Sequence, residues 1–272
     1  STINSAYQYR LQQSFGDKIG AIVVMERDTG KVIAMVSNPG YDPNVFISPN
    51  YTAYSIAEVT QNPLNPMYNR ASQGVYPPGS VFKIVTMAAA LETGVFQPTS
   101  SYYCDNYWRE MDGWVGEDWT VSHGFGPSGQ LTLQQGLMRS SNPWFWHIAF
   151  SLWNEGYRTS IPDEGIEFGL GKTTGIEIPD FAGSINPAPA SVSEYVQMAI
   201  GQSTMQVSPL QVAAFVAAIG NGGTLYQPTL IERIGLMGQE PVFTFEPIVV
   251  RELSLQPSTI EAIQEAMVMV VR

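Results

Sequence analysis

An early β-hairpin followed by a succession of helices, with no regular βαβ alternation, predicts an α+β fold for this chain. Two runs of β-formers, residues 21–26 and 31–37, flank Arg27-Asp28-Thr29-Gly30, and Asp-x-Gly between apolar runs reads as a tight turn. Downstream, helical signals recur with recognisable start and stop residues. The composition suits a packed core. Hydrophobic residues are 44% of the 272, charged residues only 14%, and glycine and proline together outnumber the charged side chains.

Taken in order, residues 5–15 are polar with spaced Tyr, Leu and Phe, which predicts a short helix ahead of the hairpin. Residues 38–78 carry seven prolines and read as loop. Gly79-Ser80 opens a helix over residues 81–92, and Gly94 is placed to end it. Residues 100–129 are acidic, aromatic and glycine-rich. A solvated, glycine-hinged surface loop is the expectation, with a calcium- or sugar-binding loop as the alternative. Residues 131–139 and 143–154 read as helices on either side of Ser140-Ser141-Asn142. Ser208-Pro209 supplies an N-cap and a first-turn proline, and Gly220 closes that helix. Residues 222–230 and 241–245 look like strands or turns. Ser258-Thr259-Ile260-Glu261 reads as a capping box before a last helix that runs to the chain end.

Charge and cysteine usage exclude several functions. Lys+Arg 13 against Asp+Glu 24 gives a net charge of −11, the wrong sign for a nucleic-acid binder, which needs a basic face. Cys104 is the one cysteine and His123 and His147 the two histidines. No intramolecular disulfide or cysteine-rich zinc site can form, and two histidines leave little room for a histidine-based metal site. The longest apolar runs, such as residues 212–219, fall far short of the roughly 18 residues that span a bilayer. No signal peptide opens the chain, and Ser1 stands where an initiator Met would, so a fragment is expected.

The segment richest in chemistry is Tyr76-Pro77-Pro78-Gly79-Ser80-Val81-Phe82-Lys83. Its prolines and glycine force a turn before a helix, so Ser80 sits where backbone N–H groups and the dipole favour an oxyanion. Lys83, one turn on, lies on the same face. Desolvated among Val81, Phe82, Ile84 and Val85, its amine could lose a proton near neutral pH and serve Ser80 as a base. The same residues also read as a capping serine and a lysine whose stem merely packs. Ser140 and Asn142, in the break between two helices, add a second hydroxyl and a carboxamide, or are simply turn residues.

Pro77-Pro78-Gly79-Ser80-x-x-Lys83 followed by Ser140-x-Asn142 resembles the penicillin-binding transpeptidases, whose motifs are S-x-x-K, S-D-N and K-T-G. Several other segments resemble the same family: the hairpin from Gly20, Tyr41-Asp42-Pro43-Asn44, Asn69-Arg70-Ala71, and the run from Gly169 to Pro179. Ala199-Ile200-Gly201-Gln202-Ser203, Val207-Ser208-Pro209 and Asn221-Gly222-Gly223 complete the likeness, which spans nearly the whole chain. It implies a serine β-lactamase/transpeptidase-like fold: an antiparallel sheet with an all-helical subdomain. Residues 1–40 would give the first helix and hairpin, 70–220 the mainly helical part with both motifs, and 221–272 a return segment and last helix. The class B, monofunctional type is the closer likeness, since no glycosyltransferase segment is present. One departure stands out. Lys172-Thr173-Thr174-Gly175 comes too early to be the third motif. The Lys-Thr-Gly strand and closing helix are therefore expected after Arg272, and residues 1–272 alone are expected to fold poorly and acylate weakly, with one side of the groove open.

The resemblance implies a peptidoglycan D,D-transpeptidase that cross-links stem peptides ending in D-Ala-D-Ala through a Ser80 acyl-enzyme, and that β-lactams acylate. Lys83 would be the base, Ser140 the proton shuttle and Asn142 the substrate anchor. All four are expected within hydrogen-bonding reach of one another, with Trp144 as a candidate wall of the groove. The implied setting is the extracytoplasmic face of the bacterial membrane, with an anchor outside this chain and a glycan-polymerising membrane partner. Serine β-lactamase or D,D-carboxypeptidase activity, a penicillin-sensing receptor and a non-catalytic cell-wall scaffold are the alternatives. His123 is expected to order its loop, His147 to be a buried helix residue, and Cys104 to be structural.

Overall fold

The computed structural model describes residues 1–47, 49 and 52–271. Helix α1 (Ser5–Phe15) starts at Asn4, whose side chain accepts the Tyr7 N–H. Strands β1 (Gly20–Met25) and β2 (Val32–Asn38) pair antiparallel from Gly20–Asn38 to Met25–Val32, with an irregularity at Val24/Met25. Val32, Ala34 and Val36 alternate inward on β2 and are buried. Gln8 of α1 clasps that strand, donating to the Met35 carbonyl (2.6 Å) and accepting its N–H (2.8 Å).

Residues 38–78 are not all loop. A 3-10 turn (Pro43–Phe46) and helix α2 (Ala53–Thr60) lie inside, the latter held by a reciprocal Thr52/Ser55 capping box. That short capping signal is hidden among prolines. Ser48, Asn50 and Tyr51, within the expected loop, and Arg272, at the expected helix end, lie outside the described residues.

Helix α3 (Lys83–Glu92) is the hub. Every residue from Lys83 to Ala90 is buried, which marks a central helix rather than an amphipathic surface one. Beyond it the chain makes an excursion: β3 (Ser101–Cys104), β4 (Tyr107–Trp108), β5 (Gly116–Glu117), the short α4 (Trp119–Ser122) and β6 (Gly129–Thr132). β3 pairs with β6 and β4 with β5. This corrects the expected solvated loop. Cys104, Trp108, Asp118 and Thr120 are buried, and Trp108 packs on Trp114, Trp146 and Phe150. The aromatic residues anchor the excursion to the core. Among the described residues no cluster of potential metal ligands occurs there or elsewhere.

Helices α5 (Leu133–Arg139), α6 (Asn142–Asn154) and α7 (Ser160–Glu167) pack against α3. α8 (Val192–Met198) packs on α6, and α9 (Pro209–Gly220), capped by Ser208 and Gln211, covers β1. β7 (Thr224–Tyr226) pairs with β10 (Val249–Glu252). Between them β8 (Arg233–Ile234) and β9 (Phe243–Thr244) form an exposed hairpin. The last helix, α10 (Pro257–Met269), differs from expectation at its start. Pro257 takes the first position, Gln256 is the cap without a side-chain bond, and Ser258 and Glu261 lie inside the helix. Glu92 of α3 accepts the Gln256 N–H instead. Ile263 and Ala266 join the core cluster around α3 and Ile260 is buried as well, while Val271 stays exposed. Among the described residues no helix is long and apolar enough to cross a membrane.

One close approach ties the fold to the turn before α3. Gly201, at φ +73°, accepts the Gly79 N–H at its carbonyl (3.0 Å), and a Cβ there would sit 2.0 Å from the Gly79 oxygen. Gly201→Ala should therefore cost about 3 kcal/mol or more in thermal or denaturant unfolding. Gly126→Ala, where nothing lies within 4 Å, should be near neutral in the same measurement.

Candidate active site

The turn carrying Ser80 is held from behind. Tyr76 and Val207 exchange both backbone hydrogen bonds (2.9 Å each), and Gly79 is bonded to Gly201. A 3-10 turn, Gly79–Phe82, then runs into α3 without a break. Ser80 is exposed on that turn, and three residues later Lys83 is completely buried. A single turn thus carries the chain from solvent to the core.

Lys83 Nζ donates three hydrogen bonds: to the Ser140 carbonyl (2.8 Å), to Ser140 Oγ (3.1 Å) and to Asn142 Oδ1 (2.7 Å). The Phe145 ring centroid lies 5.4 Å away. Ser140 reaches this position because it caps α5 in the left-handed region, at φ +54° and ψ +39°. A non-glycine residue pays for that backbone with strain, which recurs at functional sites. Asn142 opens α6, its Oδ1 committed to Lys83 and its Nδ2 the donor that remains. Burial pulls the Lys83 amine down to about 7, and the Asp118 carboxylate opposes the shift. Among the described residues no carboxylate lies within ion-pair distance of Lys83.

The structure therefore brings Lys83, Ser140 and Asn142 together, while no hydrogen bond joins the Ser80 hydroxyl to them among the described residues. Of the four residues expected within hydrogen-bonding reach of one another, three are bonded, and the Ser80 hydroxyl stands outside that network. An ammonium has three donors, and Ser140 and Asn142 take all three.

Trp144 does not wall a groove. It is fully buried, and its Nε1 donates to the Leu131 and Thr132 carbonyls, both at 3.1 Å. It lies so close to α5 that a Cβ on Gly136 would come within 2.4 Å of its ring. His147 is not the simple buried residue expected. It is partly exposed, meets Glu110 at 2.7 Å and stacks on Tyr102. His123 Nδ1 lies 3.0 Å from the Trp119 carbonyl and orders its loop as expected. Burial pushes the Cys104 thiol up to about 11, consistent with a structural role. Lys172 is exposed and lines a separate cavity with Thr174 and Arg251.

The sequence profile of the penicillin binding protein transpeptidase domain matches residues 20–272. The chain belongs to that family. Peptidoglycan D,D-transpeptidase PbpA of Mycobacterium tuberculosis is 30% identical over 234 residues, which are 81% of this chain and 44% of that protein. The transpeptidase domain described here thus spans less than half the length of that relative. The structure of penicillin-binding protein A from M. tuberculosis as a penicillin G acyl-enzyme complex superposes with a TM-score of 0.85 at 28% identity, covering 99% of this chain and 62% of that one. A peptidoglycan synthase complex described as coordinating polymerization and crosslinking contains a chain matching at TM-score 0.78 and 28% identity, over 97% of this chain and 44% of that one.

Sequence reasoning missed one polar residue of this transpeptidase site. Asp118 is buried, accepts the Asn142 N–H at Oδ1 (3.0 Å) and accepts the Thr120 hydroxyl at Oδ2 (2.9 Å). It was one acid among several in a segment read as solvated, and no local spacing separates it from them. The Trp144 reassignment is directly testable. Trp144→Phe removes a donor from two buried carbonyls and should lower unfolding stability by about 1–3 kcal/mol, measured by denaturant titration.

Proposed function

We propose that this domain carries the acyl-transfer chemistry of a peptidoglycan D,D-transpeptidase, with Ser80 as nucleophile. The observation that carries the reading is the buried Lys83 amine, bonded to Ser140 and Asn142, one turn beyond an exposed serine. In its neutral form Lys83 has a lone pair to accept the Ser80 proton as Oγ bonds to the carbonyl carbon of the penultimate D-Ala. The Ser80 N–H, at the first turn before α3, faces the oxyanion, a contribution of about 3 kcal/mol per donor elsewhere. Collapse breaks the C–N bond, and the leaving D-Ala amine takes its proton through Ser140. An amine from a second stem peptide then attacks the ester, gives up a proton by the reverse route and releases Ser80. Asn142 Nδ2 donates to the substrate backbone. A β-lactam follows the first half of this course and stays as the Ser80 ester. We place the reaction on the extracytoplasmic side of the membrane, beside a glycan-polymerising partner. The peptidoglycan synthase complex among the structural relatives supports that partnership.

Fluorescent penicillin tests the reading. The full protein should be labelled covalently at Ser80 and Ser80→Ala should not, as read by gel fluorescence and adduct mass. Equal labelling of both proteins overturns the assignment, and rapid release of the label favours a hydrolase instead.

Lys83 gives a second, independent check. Lys83→Ala should acylate at least about a hundredfold more slowly. Because burial lowers the amine to about 7, the base form is lost as pH falls. The acylation rate should therefore drop about tenfold per unit below that point. A flat profile between pH 5.5 and 8 would remove Lys83 from this role.

A further inference from the structure

We propose that Asp118 is a positioning residue for acyl transfer: its carboxylate fixes the first peptide N–H of α6 and thereby holds the Asn142 side chain against Lys83. The inference rests on the function proposed above and adds to it a residue outside the three family motifs.

The geometry forms a relay of contacts. Asp118 Oδ1 accepts the Asn142 N–H at 3.0 Å, and Asn142 Oδ1 accepts Lys83 Nζ at 2.7 Å. An aspartate at the start of a helix ordinarily caps it with its own side chain. Asp118 precedes α4, yet its side chain makes no cap bond there. Instead Oδ1 reaches across to the Asn142 N–H, and Oδ2 accepts the Thr120 side-chain hydroxyl. Asp118 is 2% exposed and Thr120 is fully buried. A carboxylate is costly to bury without such partners, so its placement is not that of a surface acid.

The excursion that carries Asp118 is fastened along α6 at further points. Trp114 packs edge-on against Trp146, and Glu110 meets His147. These contacts leave the Asp118 carboxylate little freedom to leave Asn142. The second consequence is electrostatic. Other titratable groups on elements around α3 are engaged elsewhere: Arg139 of α5 stacks on Trp119, His147 of α6 pairs with Glu110, and Glu265 of α10 accepts from Gln134. Glu164 of α7 lies among Glu92, Asp163 and Glu167, and Cys104 of β3 faces Ser141. Among the described residues Asp118 is the charged group that acts on Lys83, favouring its protonated form.

The test is the pH profile of penicillin acylation at Ser80 in the full protein. Asp118→Asn removes the charge but keeps an acceptor for the Asn142 N–H. Its rising limb should move to lower pH by ~0.5–1 unit. Asp118→Ala removes both, and its high-pH plateau should fall at least ~10-fold below wild type and below D118N, as expected for a displaced reacting group. Thr120→Val withdraws a donor from the carboxylate and leaves its charge less shared, so its limb should move the opposite way, by a few tenths of a unit. A purely structural aspartate would lower the plateau and leave the midpoint in place. A folded D118N with the wild-type midpoint, or a D118A with the wild-type plateau, overturns the proposal. If D118N is recovered unfolded, an unmoved T120V midpoint overturns it instead. A wild-type protein that does not acylate at Ser80 brings down the proposed function first and this inference with it.

Discussion

The structure depends on keeping an amine in its core. Lys83 is fully buried on the most enclosed helix of the domain. An ammonium in that position is tolerable only if its donors are satisfied. On α3 itself Ile84, Val85, Met87 and Ala88 are apolar, and the Thr86 hydroxyl is bonded to the Ala199 carbonyl. The acceptors must come from another part of the chain, and they come from the interruption between α5 and α6. Were α5 and α6 one continuous helix, the Ser140 carbonyl would be bonded within it. Left-handed Ser140 turns that carbonyl, together with its hydroxyl, toward Nζ. The local strain in Ser140 and the burial of Lys83 are thus two sides of one arrangement.

The rest of the architecture follows from holding α3 and the α5–α6 break in register. α7 and α10 close the remaining sides of α3, and Thr86 reaches across to the Ala199 carbonyl at 2.8 Å. That bond places the 199–203 segment beside the turn, where Gly201 can approach Gly79. Ser80, the proposed nucleophile, is therefore positioned by backbone contacts from two distant segments, around residues 201 and 207, and not by its own side chain. A hydroxyl left out of the resting network stays available for substrate, whereas the amine behind it is tied down.

Much of this was legible in the residues. Capping signals at Ser208 and the Asp-x-Gly turn located α9 and the hairpin because both are local. The Ser80–Lys83 spacing was equally readable, since three residues on a helix always share a face. What local sequence does not carry is which buried surface meets which. Trp144 beside the Ser-x-Asn motif looked like a groove wall, and only the approach of α5 through Gly136 reveals it as core. The segment 100–129 looked solvated by composition. Trp108 and Trp114 pack against Trp146 of α6 through tertiary contacts that no local periodicity encodes. α10 shows the converse error, a good capping pattern displaced by one proline that fits the first helical position better.

The state of Lys83 connects these points to chemistry. As an ammonium it makes three bonds, and the site is locked but has no base. As a neutral amine it has two donors for three acceptors, and its lone pair must point somewhere. Of the groups bonded to it, the Ser140 hydroxyl can donate, while the Ser140 carbonyl and Asn142 Oδ1 can only accept. Losing the proton therefore turns the lone pair toward a hydroxyl, that of Ser140 at rest and, in the reaction proposed above, that of Ser80. Burial lowers the amine enough to make this form accessible near neutral pH, and the Asp118 carboxylate limits how far it falls. The two opposing influences come from different parts of the fold, the apolar packing of α3 and the acid carried by the excursion. A nucleophile that works near pH 7 needs both, because a base that is too weak cannot take the serine proton and one that is too strong never gives up its own.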